Sequence, residues 1–179
     1  RHLWRGVERA DSVVLNPHKW LGVSFDCSVY FVRDPAHLIR VMSTSPSYLR
    51  TAADGRVKNY RDWGIALGRR FRALKLWAVL RWYGAQGLRE HIRTGVALAQ
   101  ELASWARADP RFEVVAPHPL GLVCLRLVAG DEASEALLRA VNESGEAYLS
   151  HTRVHGRYVL RVSIGGTFTR CCSTVRTCR

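Results

Sequence analysis

An α/β fold that ends in a small α+β unit is predicted from three observations. A short apolar run rich in β-branched residues, Val13-Val14-Leu15, stops at Asn16-Pro17. Strands end this way because proline lacks an N–H and keeps the preceding residue out of helical geometry. Helical apolar spacing then governs most of residues 71–108. Beyond Asp109-Pro110, short β-like stretches flank a single helical stretch. With 179 residues and 47% apolar side chains, the chain can bury a core and amounts to one domain or a domain and a half.

In order, residues 1–10 read as the end of a helix or loop, with Gly6 as a stop signal. Residues 11–15 form a first, buried strand, and residues 23–33 a second, rich in aromatic and β-branched residues. Asp34-Pro35 opens a short helix through about Met42, since proline is tolerated in a first helical turn. Residues 43–59 hold many turn formers and few apolar anchors, which predicts an exposed, mobile loop carrying Tyr48. Phe71, Leu74, Trp77 and Ala78 recur at helical spacing, as in an amphipathic helix joining two domains. Gly84 and Gly87 punctuate it. A second helix follows over residues 88–108, with Leu88, Ile92, Val96 and Ala99 on one face and His91 in solvent. Strands are expected at 112–116 and, with alternating character, at 121–128. A helix at 131–142 has an acidic first turn that suits the macrodipole. Two last strands, 147–152 and 158–164, turn at His155-Gly156.

Function turns on residues 12–20. The first strand ends in a rigid turn presenting His18 and Lys19, and strand ends in α/β sheets are where ligand crevices form. Of the three lysines, Lys58 falls in a polar loop and Lys75 in a helical pattern, which leaves Lys19 for covalent chemistry. An apolar setting strips hydration from an ammonium, lowers its pKa and frees the amine as a nucleophile. A Schiff base with an aldehyde cofactor such as pyridoxal phosphate needs such an amine. Spacing alone leaves a second reading open, a lysine snorkelling from a strand end. Tyr48 has two readings as well, since a surface tyrosine can simply pack its loop down.

The stretch Asn16-Pro17-His18-Lys19-Trp20, followed by Phe25-Asp26-Cys27-Ser28, resembles the cofactor-lysine segment of the pyridoxal-phosphate-dependent group II decarboxylases, in their aromatic-L-amino-acid branch. Tyr60-Arg61-Asp62-Trp63 and Leu67-Gly68-Arg69-Arg70-Phe71-Arg72 carry a second part of the likeness, which runs from about Arg1 to Phe168. The resemblance implies a type I aminotransferase-like fold and a homodimer whose active sites are shared between subunits. It divides the chain into the end of a cofactor-binding large domain (1–70, with loop 43–59), a small α+β domain (71–168) and a non-matching tail (169–179). Carried over, Lys19 bonds the cofactor, His18 neighbours it, and Asn16 lies near the phosphate. Tyr48, on a loop closing over the partner's site, returns a proton to the substrate carbon once carbon dioxide has left. Such donation by a weak acid needs a closed site without water. Relatives with phenylalanine there tend to oxidative deamination, so tyrosine implies plain decarboxylation. Gly68 falls where the substrate pocket is lined. With His18 and Trp20, it favours an aromatic substrate over histidine or glutamate. The acidic partner of the pyridine nitrogen, the stacking histidine and most of the phosphate cup are implied upstream of Arg1.

A net charge of +12 raises a nucleic-acid reading, but the arginines are scattered and no zinc-finger, KH or RNP pattern occurs. A related aldehyde synthase and a non-catalytic gene product stay open as further readings. No apolar run of about 18 residues is present to span a membrane. Cys27 and Cys124 sit singly in apolar strands as small buried hydrophobes, and a reducing, cytoplasmic compartment fits the cysteine usage. His118, His151 and His155 are spread apart, so no metal is expected. The start, without Met or an apolar leader, reads as that of a fragment, expected to be inactive alone. The tail, with Cys171, Cys172 and Cys178, resembles out-of-frame translation.

Overall fold

The computed structural model describes residues 2–44, 46–166 and 169. Phe168 and the cysteine-bearing tail from Arg170 lie outside them, and with them the expectations placed there. The chain forms two compact units. One comprises the residues up to His18 together with Val23–Val79; the other comprises Lys19–Gly22 and the residues from Leu80 onward.

In the first unit, two short 3-10 turns flank Gly6, whose φ of 89° suits a residue without a Cβ. Strand β1 (Ser12–Leu15) pairs antiparallel with β2 (Val29–Val32), Ser12 opposite Val32 and Leu15 opposite Val29. The first strand is therefore where the sequence puts it, but it is not buried. Of its residues only Val13 is half-covered, while Val14, Leu15, Tyr30 and Phe31 are exposed on the sheet. An apolar run reports strand character, and what covers a strand comes from other elements.

The second strand is shorter than expected, because residues 23–28 are irregular. Their polar groups are committed elsewhere: the Cys27 backbone meets the His18 ring, and the Asp26 carboxylate meets two arginines. Val23 and Cys27 are still buried within this segment. Helix α1 (Pro17–Trp20) is a single turn following β1. Helix α2 (Pro35–Met42) has the expected bounds: the Asp34 carboxylate accepts from the Ala36 N–H, and Pro35 occupies the first turn.

Helix α3 (Arg72–Ala108) begins later than the stripe starting at Phe71 suggests, after a 3-10 turn at Tyr60–Trp63 and an irregular stretch. At Gly84, with φ 65° and ψ 173°, the helix is broken as expected, but Gly87 lies inside its second segment. Phe71, Leu74 and Trp77 are more than half exposed. The predicted stripe exists, and nothing described covers it.

In the second unit, β3 (Phe112–Val114), β4 (Leu122–Leu127), β5 (Ser150–Val154) and β6 (Arg157–Ser163) form an antiparallel sheet in the order β3-β4-β6-β5. The second segment of α3 lays Leu88, Gly95, Ala99, Ala103 and Ala106 inward. The alanines among them let the helix come close to the core of Val123, Leu125, Tyr158, Leu160 and Ile164, which Leu138 of α4 (Asp131–Ser144) completes. Truncating a residue as enclosed as Leu160, 1% exposed, costs about 2–5 kcal/mol. Val123, Cys124 and Leu125 are buried in succession, so β4 is covered on both faces and does not alternate as expected. The α4 entrance is fastened by buried Ser134, whose hydroxyl donates to the Gly130 carbonyl and accepts from the Leu127 N–H. The β5–β6 hairpin turns at His155-Gly156, both at positive φ, which matches a two-residue turn to the strand twist.

Candidate active site

The α1 turn carries the residues singled out for covalent chemistry. Buried Pro17 closes it by accepting from the Val23 N–H. His18 is clamped. Its Nδ1 lies 2.6 Å from the Cys27 carbonyl oxygen and 3.1 Å from the Cys27 N–H, and its ring meets that of Phe25 edge-on at 5.1 Å. These two contacts ask opposite things of Nδ1. The shorter one decides, because two lone pairs at 2.6 Å repel, so Nδ1 carries a proton and donates it to the Cys27 carbonyl.

Asn16 accepts from the Ser28 hydroxyl at 2.7 Å, which ties the end of β1 to the start of β2. Lys19 is exposed, and its ammonium has no hydrogen-bond or ion-pair partner among the described residues. The apolar enclosure expected around it is not supplied by them. Trp20 has its indole packed against Gly95, Gly121 and Gly165 of the second unit. That placement makes it a packing residue of this unit, whatever it signals about substrate.

Asp26 belongs to the sequence motif, which assigns it no role of its own. Its carboxylate accepts from Arg72 Nε at 3.0 Å and from Arg70 Nη2 at 2.6 Å. The hydrogen bond from Arg72 is the main cause holding its pKa down at about 2, against a smaller opposing effect of burial. The same pairing raises the pKa of Arg72. The Cys27 Sγ sits 4.0 Å from the Arg72 carbonyl oxygen, so the segment after the lysine turn is held to the start of α3 twice.

Tyr48 projects from a 3-10 turn, Ser47–Leu49, and is 76% exposed. The loop around it is less loose than its composition suggests. Arg61 donates from Nη1 to the Leu49 carbonyl and from Nη2 to Asp54 at 3.0 Å. Asp54 also accepts from Thr51 N–H, Thr51 hydroxyl and Asn59 amide. Burial raises the Asp54 pKa, but the two Thr51 bonds and the Arg61 guanidinium outweigh it and leave it lowered. Arg61 itself is mostly covered, and its Nε has no hydrogen-bond partner among the described residues. Gly68 is exposed in the stretch before α3, with open space where a Cβ would stand. Within the first unit, no described contact joins Tyr48 or Gly68 to Asn16 or His18.

His91 is half-buried, in a groove it shares with Leu21, Gly22, Tyr83, Gly87 and Leu88, and so is not the solvated residue expected. Cys27 and Cys124 are free and buried, as small hydrophobes should be. No helix among the described residues is long and apolar enough to cross a membrane.

Residues 1–128 match the pyridoxal-dependent decarboxylase conserved domain. The chain is 44% identical over 170 residues to the aromatic-L-amino-acid decarboxylase of Drosophila lebanonensis, covering 95% of this chain and 42% of that protein. It superposes with a TM-score of 0.87 on the crystal structure of Oryza sativa TDC with PLP and tryptamine, at 43% identity, over 94% of this chain and 37% of that one. With Rhodiola rosea 4-hydroxyphenylacetaldehyde synthase the TM-score is 0.81 at 38% identity, over 94% and 35% of the two chains. The chain thus spans about two fifths or less of the length of these relatives.

Proposed function

The chain belongs to the pyridoxal-dependent decarboxylase family, and on that footing we propose that the protein decarboxylates an aromatic L-amino acid to its arylethylamine and carbon dioxide. The observation that carries this reading is Lys19, a primary amine without a partner among the described residues, on the turn that closes a strand and inside the stretch matching the family's domain. That amine suits the aldehyde of pyridoxal phosphate, the family's cofactor, as no described carboxylate competes for it. When bound, the cofactor draws off the electron pair left by departing carbon dioxide.

The chain's own residues have separate tasks. Lys19 Nζ would hold the cofactor covalently through its aldehyde carbon. His18, with Nδ1–H fixed on the Cys27 carbonyl, offers Nε2 beside it. Asn16 contributes near the phosphate, and Gly68 leaves room for an aromatic side chain. The Tyr48 hydroxyl returns a proton to the substrate's α-carbon, acting across a homodimer from a loop tethered by Arg61 and Asp54. In this reading, residues 1–70 end the cofactor-binding domain and residues 71–168 form the small domain.

A second reading, an aromatic aldehyde synthase, is favoured by the likeness to the Rhodiola enzyme. Supplying the complete protein with tryptophan or tyrosine separates the two. Amine and carbon dioxide in equal amounts support decarboxylation; aldehyde with peroxide and ammonia supports the synthase. Neither product, or activity unchanged by Lys19→Ala, would overturn both.

A further inference from the structure

Trp20 follows the lysine and is placed in a setting that the proposed chemistry leaves unexplained. Three glycines surround its indole. They come from the second segment of α3 (Gly95), from the residue before β4 (Gly121) and from just past β6 (Gly165). A Cβ on Gly95 would stand 3.3 Å from the indole Nε1, and one on Gly165 3.4 Å from Cδ1. On Gly121 it would stand 3.0 Å from Cζ2 and 2.6 Å from the Ile164 carbonyl oxygen. None of the three glycines has a positive φ, so the backbone does not call for glycine at these places. The space does.

A second observation points the same way. The Trp20 Nε1 is buried and has no hydrogen-bond partner among the described residues. Buried indole N–H groups ordinarily find an acceptor, and leaving one without is unfavourable. This indole is therefore held by shape. Beside it lies a cavity of about 270 Å³ that Lys19 lines together with Trp20, Gly121, Leu122 and Ser163. The backbone bond from Ile164 N–H to the Gly121 carbonyl, 2.7 Å, makes the collar rigid.

We propose that Trp20 is a positioning residue, a rigid plug whose seat in the glycine collar of the second unit fixes the turn presenting Lys19. A lysine side chain is flexible, and its amine reaches a reproducible place only if its own backbone is held. An aromatic plug does this at little conformational cost, having two side-chain torsions. The inference rests on the reading of Lys19 as the cofactor amine.

The test uses the complete protein and Trp20→Gly, which leaves an indole-shaped vacancy that free indole can fill. One readout is hydrogen–deuterium exchange of the amides of residues 19–22 in cofactor-free protein. The other is the rate at which borohydride fixes pyridoxal phosphate to Lys19, followed by peptide mass. Trp20→Gly is expected to raise exchange across 19–22 and to slow fixation about tenfold or more, and indole is expected to reverse both. Unchanged exchange and fixation would overturn the proposal. So would indole restoring the melting temperature without restoring fixation, the outcome for a purely structural tryptophan. Should Trp20→Gly not fold, Gly165→Ala, whose methyl meets only the indole among the described residues, is expected to move both readouts the same way by less, and no movement counts against the proposal. Lys19→Arg separates the two ideas. Cofactor fixed at another lysine would refute the role of Lys19, while the exchange measurement would still decide that of Trp20.

Discussion

His18 Nδ1 stands 2.6 Å from the carbonyl oxygen of Cys27, nine residues along the chain. The backbone of one buried residue thereby holds a proton on Nδ1 of the side chain that precedes Lys19. His18→Gln keeps a hydrogen-bonding group but loses the ring and its edge contact with Phe25. In the complete protein this variant is expected to lower kcat by about 10²-fold, the usual scale for a lost proton-handling group. Steady-state kinetics with folding checked by circular dichroism measures it. A loss confined to KM would argue against the role.

Asp26 gives a pH signature. Its pKa is depressed from 3.8 to about 2 in the folded chain, chiefly by the Arg72 hydrogen bond. A carboxylate depressed on folding stabilises the fold above its unfolded pKa, and that contribution disappears as pH falls toward the folded value. The difference in melting temperature between the native protein and Asp26→Asn is thus expected to be steady from neutral pH down to about 4. It should shrink between there and about pH 2. A difference that stayed level across this range would contradict the pairing.

Arg61 bridges Leu49 and Asp54 through its two terminal nitrogens. Its removal frees the carbonyl of Leu49 and leaves Asp54 with the bonds from Thr51 and Asn59. Arg61→Ala is expected to speed tryptic cleavage after Arg50 and Arg56 several-fold, with the rest of the chain cut no faster. Limited proteolysis with mass readout checks this, and uniform acceleration would mean global unfolding instead.

If Tyr48 serves the partner's site, Lys19→Ala and Tyr48→Phe disable different halves of the same site. Mixing the two variants after dissociation is expected to restore about a quarter of native activity, as half the dimers are mixed and each holds one intact site. No recovery, with mixed dimers shown by mass spectrometry, would place both residues in one subunit's site.

What could be read from the sequence was local. Asp34-Pro35 sets the start of α2 because a cap and a first-turn proline act within three residues. His155-Gly156 sets a hairpin for a similar reason, by turn chemistry at two adjacent positions. The cofactor motif was legible through its resemblance, and the family match bears that resemblance out. What was missed depends on distant partners. Residues 23–28 look like strand until Asp26 meets arginines 44 and 46 residues later. The apolar run of β1 looks buried because composition does not say which elements lie over it. The glycine collar draws on three elements, and no single stretch of sequence shows it. Arg61 stands inside a motif legible in the sequence, but its partners Leu49 and Asp54 lie in a stretch whose composition reads only as loop.

The chain enters its second unit at Lys19, leaves after Gly22 and returns only at Leu80. A cut at Leu80 therefore yields a piece with an empty socket, since Trp20, which fills it, lies far upstream. Chimeras that exchange this unit between relatives should transplant the lysine turn with it, and engineers who split the gene at the obvious boundary would separate a lock from its key.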